Sequence, residues 1–164
     1  MKYLAVFCGS SNGSSDVYRE GAIQLGKELA EREITLVYGG ASVGIMGTVA
    51  NAILENSGQV IGVIPKMLED REISHPNLTE LMVVDSMHER KNKMANLADA
   101  FIALPGGPGT IEEFMEVFTW AQLGLHQKPC GLLNINHYYD PLVSFFNHMA
   151  DHQFLNEKYR SMAI

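Results

Sequence analysis

Cysteine is scarce in this sequence, which has only Cys8 and Cys130 among its 164 residues. Both lie in apolar stretches that predict β-strands, so we expect them to be small buried hydrophobic residues and not a disulfide framework. The Cys-x-x-Cys and His-Glu-x-x-His spacings are also missing, and no metal site is predicted. This cysteine usage suits a reducing compartment, and we predict a cytoplasmic location.

Long apolar runs and an excess of basic residues are missing as well. No apolar stretch reaches the roughly 18 residues that a membrane-spanning helix needs, so no membrane partner is expected. The formal net charge of −7 argues against a broad attraction to nucleic acid. The chain does have a hydrophobic fraction of 46%, which suits the core of one domain spanning residues 1–164.

Short apolar runs alternate with helical periodicity along the chain. The pattern predicts strands over 4–8, 35–38, 60–64, 81–84, 100–104 and 131–133, and helices over 17–31, 45–57, 87–97, 110–125 and 141–149. Residues 66–76 are polar without clear periodicity, and we interpret them as a mobile loop. The alternation predicts an α/β fold, a single-domain Rossmann-like doubly wound parallel sheet with helices on both faces.

The most informative motif is PGGPGTIEE at residues 105–113, between a predicted strand and a predicted helix. Its glycines allow the backbone to approach a ligand closely, and the helix N-terminus offers N–H groups to an anion, so the motif predicts a phosphate site. It matches neither a Walker A loop nor the Gly-x-Gly-x-x-Gly fingerprint, and it therefore specifies neither ATP nor NAD. A structural interpretation stays open, because Thr110 and Glu113 also have the spacing of a helix capping box.

Other polar or glycine-rich segments follow further strands. Residues 9–12, 39–47 and 85–91 each come directly after a predicted strand, as residues 105–110 do. Ligands of parallel sheets bind at the carboxyl ends of the strands. One glycine-rich turn would be weak support, but four such segments at one edge predict a ligand site.

Three separated motifs occur in order: GGASVGIMG at 39–47, MHERK at 87–91 and PGGPGTIEE at 105–113. Together they resemble the Lonely Guy family of cytokinin-activating phosphoribohydrolases, which is often labelled lysine decarboxylase. The resemblance implies a homodimer or larger oligomer, without a cofactor, that binds a small nucleotide. Its implied reaction is hydrolysis of the N-glycosidic bond of AMP or N6-prenyl-AMP to a free base and ribose 5-phosphate. The chain departs from the family at Pro108, and it ends at Ile164, where the family usually continues into another strand and helix.

By resemblance, Arg90 and Glu113 form the catalytic pair. Breaking the bond between C1′ and N9 builds positive charge on the sugar, which a carboxylate can stabilise while it orients water. An arginine can neutralise the 5′-phosphate or the departing base, and its planar fork binds phosphate bidentately. Each residue has a structural alternative, since Arg90 could be a solvated helix residue and Glu113 a capping partner.

The other candidate substrate-binding residues surround this pair. Glu116 is interpreted as a ribose or water contact and Lys91 as a second cation, although both have a surface role as the alternative. The predicted phosphate cradle consists of Gly106, Gly107, Gly109 and Thr110.

The nucleotide pocket is predicted to include residues from two further segments. Ser10 and Met87 are expected to line it, with Met87 against the base, and a core or capping role is their alternative. Gly40 belongs to the 39–47 segment, which we expect to shape the pocket and open a helix. Late in the 110–125 helix, residues predicted for the core or a subunit contact are Trp120, Leu123 and Leu125.

Two other functions stay open from the residues alone. A molybdenum-cofactor carrier protein has a similar fold and would bind without chemistry, although simple binding does not need a carboxylate beside a phosphate. A lysine decarboxylase would need a lysine that forms a Schiff base with pyridoxal phosphate. Lys91 and Lys93 lie at a helix start with no evident aldehyde pocket, which disfavours that function.

Overall fold

A parallel sheet forms the centre of the computed structural model, which describes residues 1–69, 71 and 74–163. Its strands are β1 (Tyr3–Phe7), β2 (Thr35–Tyr38), β3 (Val60–Pro65), β4 (Glu80–Val84), β5 (Ala100–Ala103) and β6 (Cys130–Leu132). Their order across the sheet is β4-β3-β2-β1-β5-β6, and every neighbouring pair is parallel.

Helices connect these strands. They are α1 (Asp16–Glu31), α2 (Gly44–Glu55), α3 (Lys66–Glu69), α4 (Met87–Leu97), α5 (Pro108–Gln122), α6 (Asp140–Asp151) and α7 (Glu157–Arg160), with a short 3-10 helix at Ile135–His137. None of the helices within the described residues has the length and apolar character to cross a membrane.

The two faces of the sheet carry separate hydrophobic cores, because side chains alternate along each strand. On β1, Leu4 and Val6 pack with residues of α1 and α2, whereas Ala5 and Phe7 pack with residues of α4, α5 and α6. Every residue of β2 is buried, as expected for a strand covered on both faces. The predicted doubly wound α/β fold is therefore confirmed.

The direction of winding reverses between β1 and β5. Strands β2 to β4 add on one side of β1, and β5 and β6 lie on the other. Such a switch point opens a crevice at the carboxyl ends of the two central strands. The loops that follow β1 and β5 meet there, since a Cβ built on Gly9 would lie 3.4 Å from the Gly106 Cα.

Helix α5 begins two residues earlier and ends earlier than its periodicity predicts. Pro108 opens it, because a missing N–H is harmless at a first helical position. At the other end Gly124 has φ 75°, and the Leu125 N–H donates to the Trp120 carbonyl at 2.9 Å. This hydrogen bond closes the helix in a Schellman motif, so the apolar pattern continues past the helix end.

The segment predicted to be a mobile loop has regular structure in its described residues. It starts with the short helix α3, and residues 70, 72 and 73 lie outside the described residues. Ser74 pairs with Ala41, and the His75 N–H donates to the Gly40 carbonyl at 2.9 Å. The second half of the segment is thus joined to the loop after β2.

Candidate active site

The glycine-rich segment after β5 turns directly into α5, with Gly107 as the N-cap residue. A Cβ on Gly107 or Gly109 would meet no atom within 4 Å, so both glycines face open space. A Cβ on Gly106 would instead overlap the Thr110 hydroxyl, and Thr110 is buried. The segment therefore combines a helix N-terminus, an open glycine surface and a hydroxyl beneath it, which together suit a phosphate.

The capping-box interpretation of Thr110 and Glu113 is wrong. Thr110 is the third residue of α5, and the N-cap position belongs to Gly107, which makes no side-chain capping hydrogen bond. Because the helix starts at Pro108, Glu112 and Glu113 lie in its second turn and not in its first. Glu113 therefore lies about one helical turn beyond Thr110, the last residue of the cradle.

Arg90 and Glu113 approach each other from α4 and α5. The Ser86 hydroxyl caps α4 by accepting the Glu89 N–H at 3.1 Å, and Arg90 is the next residue. Arg90 Nη2 lies 3.9 Å from Glu113 Oε1, and the two side chains are only 6% and 16% exposed. An ion pair with so little solvent contact is weakly screened, so its charges act strongly on a ligand beside it.

Gly39 makes room for the arginine. A Cβ at Gly39, directly after β2, would overlap Arg90 Nη2, so the guanidinium lies against the bare backbone. The sequence motif predicted that the 39–47 segment shapes the pocket but did not predict this contact. The first glycine after a buried strand was the signal that could have indicated it.

Cys8, directly after β1, belongs to the same region. Its burial raises the pKa of the thiol far above the ordinary value, the charge of Glu113 raises that pKa further, and Arg90 opposes the effect. The thiol is therefore protonated at neutral pH. The expectation of a small buried residue holds for Cys130 in β6, whereas Cys8 keeps some solvent exposure and is near enough to Glu113 and Arg90 for their charges to act on its thiol.

Lys91 and Glu116, both predicted to contact substrate, contact each other. Lys91 Nζ donates to Glu112 Oε1 at 2.7 Å and to Glu116 Oε1 at 3.1 Å, which ties α4 to α5. The hydrogen bond to Glu112 is the main reason that the pKa of Lys91 is raised. A lysine that attacks an aldehyde must be neutral, so this ion pair opposes a Schiff-base role. Substrate contacts of Lys91 and Glu116 stay predictions.

The remaining predicted residues divide between the surface and the interior. Ser10 and Met87 are exposed at the carboxyl edge of the sheet, where a ligand can reach them. Gly40 is buried and has φ 83°, and its carbonyl holds His75. The structure thus gives Gly40 a role in the backbone, and its contact with substrate stays a prediction.

The N-terminus of α2 is closed by the loop after β1. The Ile45 N–H donates to the Ser11 carbonyl at 3.3 Å, and the Met46 N–H donates to the Gly9 carbonyl at 3.2 Å. These two backbone N–H groups of α2 are therefore already hydrogen-bonded within the protein. At the start of α5, by contrast, Gly107 and Gly109 leave open space for an anion.

Two cavities lie near this edge. One of about 220 Å³ touches the cradle, and a larger polar groove of about 730 Å³ lies between the starts of α1 and α2. The larger groove is lined by Ser42, Gly44 and Gly47 of the 39–47 segment but by none of the individually predicted substrate-binding residues, whereas Gly106 and Gly107 line the smaller cavity. The smaller cavity is also lined by Tyr18 and Tyr138, which the sequence analysis missed. No group of three or more metal-ligating side chains occurs within the described residues.

Comparison with known proteins places this site in a family. The family model described as "Possible lysine decarboxylase" matches residues 46–164. Over 163 residues the chain is 53% identical to the cytokinin riboside 5′-monophosphate phosphoribohydrolase LOG7 of Arabidopsis thaliana. The chain belongs to the Lonely Guy family. The match covers 99% of this chain and 75% of the Arabidopsis protein.

A second Lonely Guy relative is the cytokinin riboside 5′-monophosphate phosphoribohydrolase LOG of Oryza sativa subsp. japonica. It is 52% identical, and the match covers 98% of this chain and 66% of the rice protein. The chain thus spans about two thirds to three quarters of the length of these Lonely Guy relatives. The family resemblance expected from the three sequence motifs is confirmed.

Solved structures with the same fold include carriers of the molybdenum cofactor. The carrier protein of Chlamydomonas reinhardtii has a TM-score of 0.69 and 23% identity over 92% of this chain and 86% of its own. The molybdenum cofactor binding protein of Rippkaea orientalis has a TM-score of 0.65 and 24% identity over 80% of this chain and 75% of its own. At 23–24% identity, the likeness of these two carrier proteins to the chain shows only that they share its fold.

Proposed function

We propose that this chain hydrolyses the N-glycosidic bond of a cytokinin riboside 5′-monophosphate and releases a free base and ribose 5-phosphate. The observation that carries the proposal is the buried pair of Arg90 and Glu113, 3.9 Å apart, one helical turn from the phosphate cradle. Relatives with 52–53% identity that carry this activity in their names support it.

The spacing along α5 suits a nucleotide. Thr110 is the last residue of the cradle, and Glu113 follows three residues later, which is a rise of about 4.5 Å along an α-helix. Because residues three apart on a helix share a face, Glu113 lies on the same side of α5 as Thr110. A nucleotide whose phosphate binds the cradle would therefore bring its C1′ atom toward the carboxylate of Glu113.

The two side chains have complementary roles in this reaction. The bond between C1′ and N9 breaks with its electron pair leaving on the base, and positive charge develops at C1′. Glu113 stabilises that charge and orients the water whose oxygen bonds to C1′, and one proton of that water ends on the departing base. Arg90 neutralises the phosphate or the departing base. Binding of the remote phosphate positions the sugar, so part of the binding energy serves the chemical step.

The proposal extends to AMP and to N6-prenylated AMP as substrates. Met87, the first residue of α4, is exposed at the edge of the crevice. Its flexible thioether suits a planar base and also an attached hydrocarbon chain. A single site that accepts both bases is consistent with this apolar, adaptable contact.

A homodimer in the cytoplasm belongs to the same proposal. Leu123 and Leu125, just after α5, are each 70% exposed, whereas Trp120 packs partly against the core. Two exposed leucines at one helix end offer an apolar contact that a second copy can cover.

The proposed location is the cytoplasm. Cys8 and Cys130 are free thiols, which suits a reducing compartment.

Chromatography of reaction products tests the proposal against its alternatives. Incubation with AMP or N6-isopentenyl-AMP is expected to release free base and ribose 5-phosphate in equal amounts. Nucleotide that stays intact but co-purifies with the protein would favour a carrier. Cadaverine formed from lysine, with pyridoxal phosphate added, would favour the decarboxylase.

A further inference from the structure

Two consecutive tyrosines from the loop between β6 and α6 reach back to the phosphate cradle. The buried Tyr139 hydroxyl donates to the Leu104 carbonyl at 2.5 Å, and the Tyr138 hydroxyl donates to the Gly106 carbonyl at 2.6 Å. These carbonyls lie on either side of Pro105, which has no N–H to donate. The tyrosines therefore hold the backbone before and after Pro105.

The hydrogen bond from Tyr138 also fixes the direction of a cradle donor. A trans peptide unit is planar, and its C=O and N–H point in opposite directions. The Gly106 carbonyl shares its peptide unit with the Gly107 N–H, so holding the carbonyl sets where the N–H points. A hydroxyl that donates to the carbonyl also polarises the peptide unit and strengthens its N–H as a donor.

The cradle needs such a restraint because its own residues provide little. Gly106 and Gly107 have no side chains, and glycine backbones adopt many conformations. Thr110 packs beneath Gly106, but Gly107 has nothing within 4 Å of where its Cβ would be. Tyr138 is thus a side chain that reaches the Gly106–Gly107 peptide unit from outside the cradle.

The loop that carries the tyrosines is itself firmly held. Asn134 Oδ1 accepts the Tyr139 N–H at 2.7 Å, and Asn134 Nδ2 donates to Asp140 Oδ1 at 2.7 Å. Asn136 and His137 have φ values of 50° and 60°, a region that residues other than glycine rarely adopt. Asn and His enter this left-handed region more readily than most other residues, and the hydrogen bonds of Asn134 hold the loop on either side of it.

Aromatic packing fixes the Tyr138 ring as well. The ring makes edge contacts with Tyr18, at a centroid distance of 5.8 Å, and with Tyr139, at 5.1 Å. Tyr138 also lines the cavity of about 220 Å³, together with Gly106 and Gly107. The hydroxyl is therefore delivered to the Gly106 carbonyl from a ring that has little freedom to turn.

We infer that Tyr138 and Tyr139 are positioning residues for phosphate binding: they orient the backbone around Pro105 so that cradle N–H groups face the phosphate of a sugar phosphate. The nature of that compound, a nucleoside 5′-monophosphate or its product ribose 5-phosphate, rests on the proposed function. The tyrosines act through the backbone, and neither takes part in bond breaking.

Removal of each hydroxyl tests this inference. Tyr138→Phe keeps the ring and is expected to raise the dissociation constant of ribose 5-phosphate, measured by calorimetry, on the order of 3- to 10-fold, as for one lost hydrogen bond. The KM for AMP should rise by a similar factor while kcat changes less than about twofold, because the restraint acts on ground state and transition state alike. Tyr139→Phe should act in the same direction.

Tyr159→Phe is the matched control, since it removes a hydroxyl from a ring packed against the core far along the chain. An unchanged dissociation constant in Tyr138→Phe would overturn the inference, and so would a fall in kcat at constant KM. If Tyr139→Phe fails to fold, the result for Tyr138→Phe alone tests the inference. Tyr138 is exposed, so its substitution is expected to leave the fold intact.

The inference and the proposed function can fail separately. A wild-type protein that binds ribose 5-phosphate through Tyr138 but releases no base from AMP would contradict the function alone. A wild-type protein that binds neither ribose 5-phosphate nor inorganic phosphate would overturn the positioning role, whereas base release from AMP would still be judged by chromatography.

Discussion

The start of α5 removes one of the two interpretations of Glu113, that of a capping residue. The sequence left it between a capping residue and a catalytic carboxylate, and the structure places it in the second helical turn beside Arg90. We predict that Glu113→Gln lowers kcat on the order of 10²-fold or more, because glutamine keeps the shape but not the charge that faces C1′. Steady-state kinetics and the melting temperature are the measurements.

Glu112→Gln is the matched control for that variant. Glu112 is the preceding residue, and its side chain is mostly exposed and bonded to Lys91. Its substitution should leave kcat within a few-fold of the wild type. Near-normal turnover of Glu113→Gln with an unchanged melting temperature would show that the Glu113 charge is not needed for the reaction.

We predict that His75 makes the free energy of unfolding depend on pH. Its Nδ1 accepts the Asn77 N–H at 3.2 Å, so Nε2 carries the proton toward Asn51 Oδ1, 2.8 Å away. Burial lowers the pKa of His75. Below about pH 6.5 the unfolded chain binds a proton that the folded chain does not, so the free energy of unfolding should fall as the pH decreases.

Urea unfolding at about pH 7.5 and about pH 5.5 brackets that transition. The wild type should lose more stability between these conditions than His75→Gln, which cannot titrate. His88→Gln, at an exposed position, is the control and should behave like the wild type. Equal losses in the wild type and His75→Gln would show that His75 does not carry the effect.

At the scale of the element, α5 has a glycine predicted to bind phosphate near its start, Gly109, and a glycine that ends the helix, Gly124. A Cβ added at either Gly109 or Gly124 would have nothing within 4 Å, but only Gly124 has a positive φ, at 75°. We predict that Gly124→Ala costs about 1 kcal/mol of stability through backbone strain and leaves turnover unchanged. Urea unfolding and steady-state kinetics are the measurements.

Gly109→Ala should instead weaken substrate binding and leave the stability nearly unchanged. It places a methyl group in the space that the phosphate would occupy, so the KM for AMP should rise about tenfold or more, as for a lost charge-assisted hydrogen bond. Its stability should stay within about 1 kcal/mol or increase, since alanine favours helix. A Gly109→Ala protein that binds AMP normally would show that the cradle lies elsewhere.

The regular elements could be predicted from the sequence because burial and periodicity act locally. The boundaries of β2 and α4 were predicted to the residue, since both are sharp changes in apolar pattern. The start of α5 was missed because Pro108 is typical of a loop until its place in the first turn is known. The short helices α3 and α7 are too brief to show a period.

At the scale of the whole molecule, the candidate site is assembled from distant segments. The motifs predicted the glycine cradle and indicated Arg90 and Glu113 through the family resemblance. They did not predict that Gly39 holds the guanidinium, that Cys8 lies beside the pair, or that Tyr138 reaches Gly106. Those contacts depend on the order of the strands and on loops that follow β1, β2 and β6, which no local pattern specifies.

The exposed leucines after α5 predict how copies of the chain associate. If Leu123 and Leu125 are covered in a homodimer, the double variant Leu123→Asp with Leu125→Asp should shift light scattering from dimer toward monomer. Phe154→Asp, which alters another exposed apolar side chain, is the control. A wild-type monomer with full turnover of AMP would contradict the homodimer and any sharing of the pocket between copies.

The comparison of AMP with adenosine tests the central claim most directly, because the two differ only in the phosphate that the cradle would bind. If the cradle positions the sugar against Arg90 and Glu113, kcat/KM for base release should be on the order of 10²-fold or more higher for AMP. Equal kcat/KM values for AMP and adenosine would contradict the account.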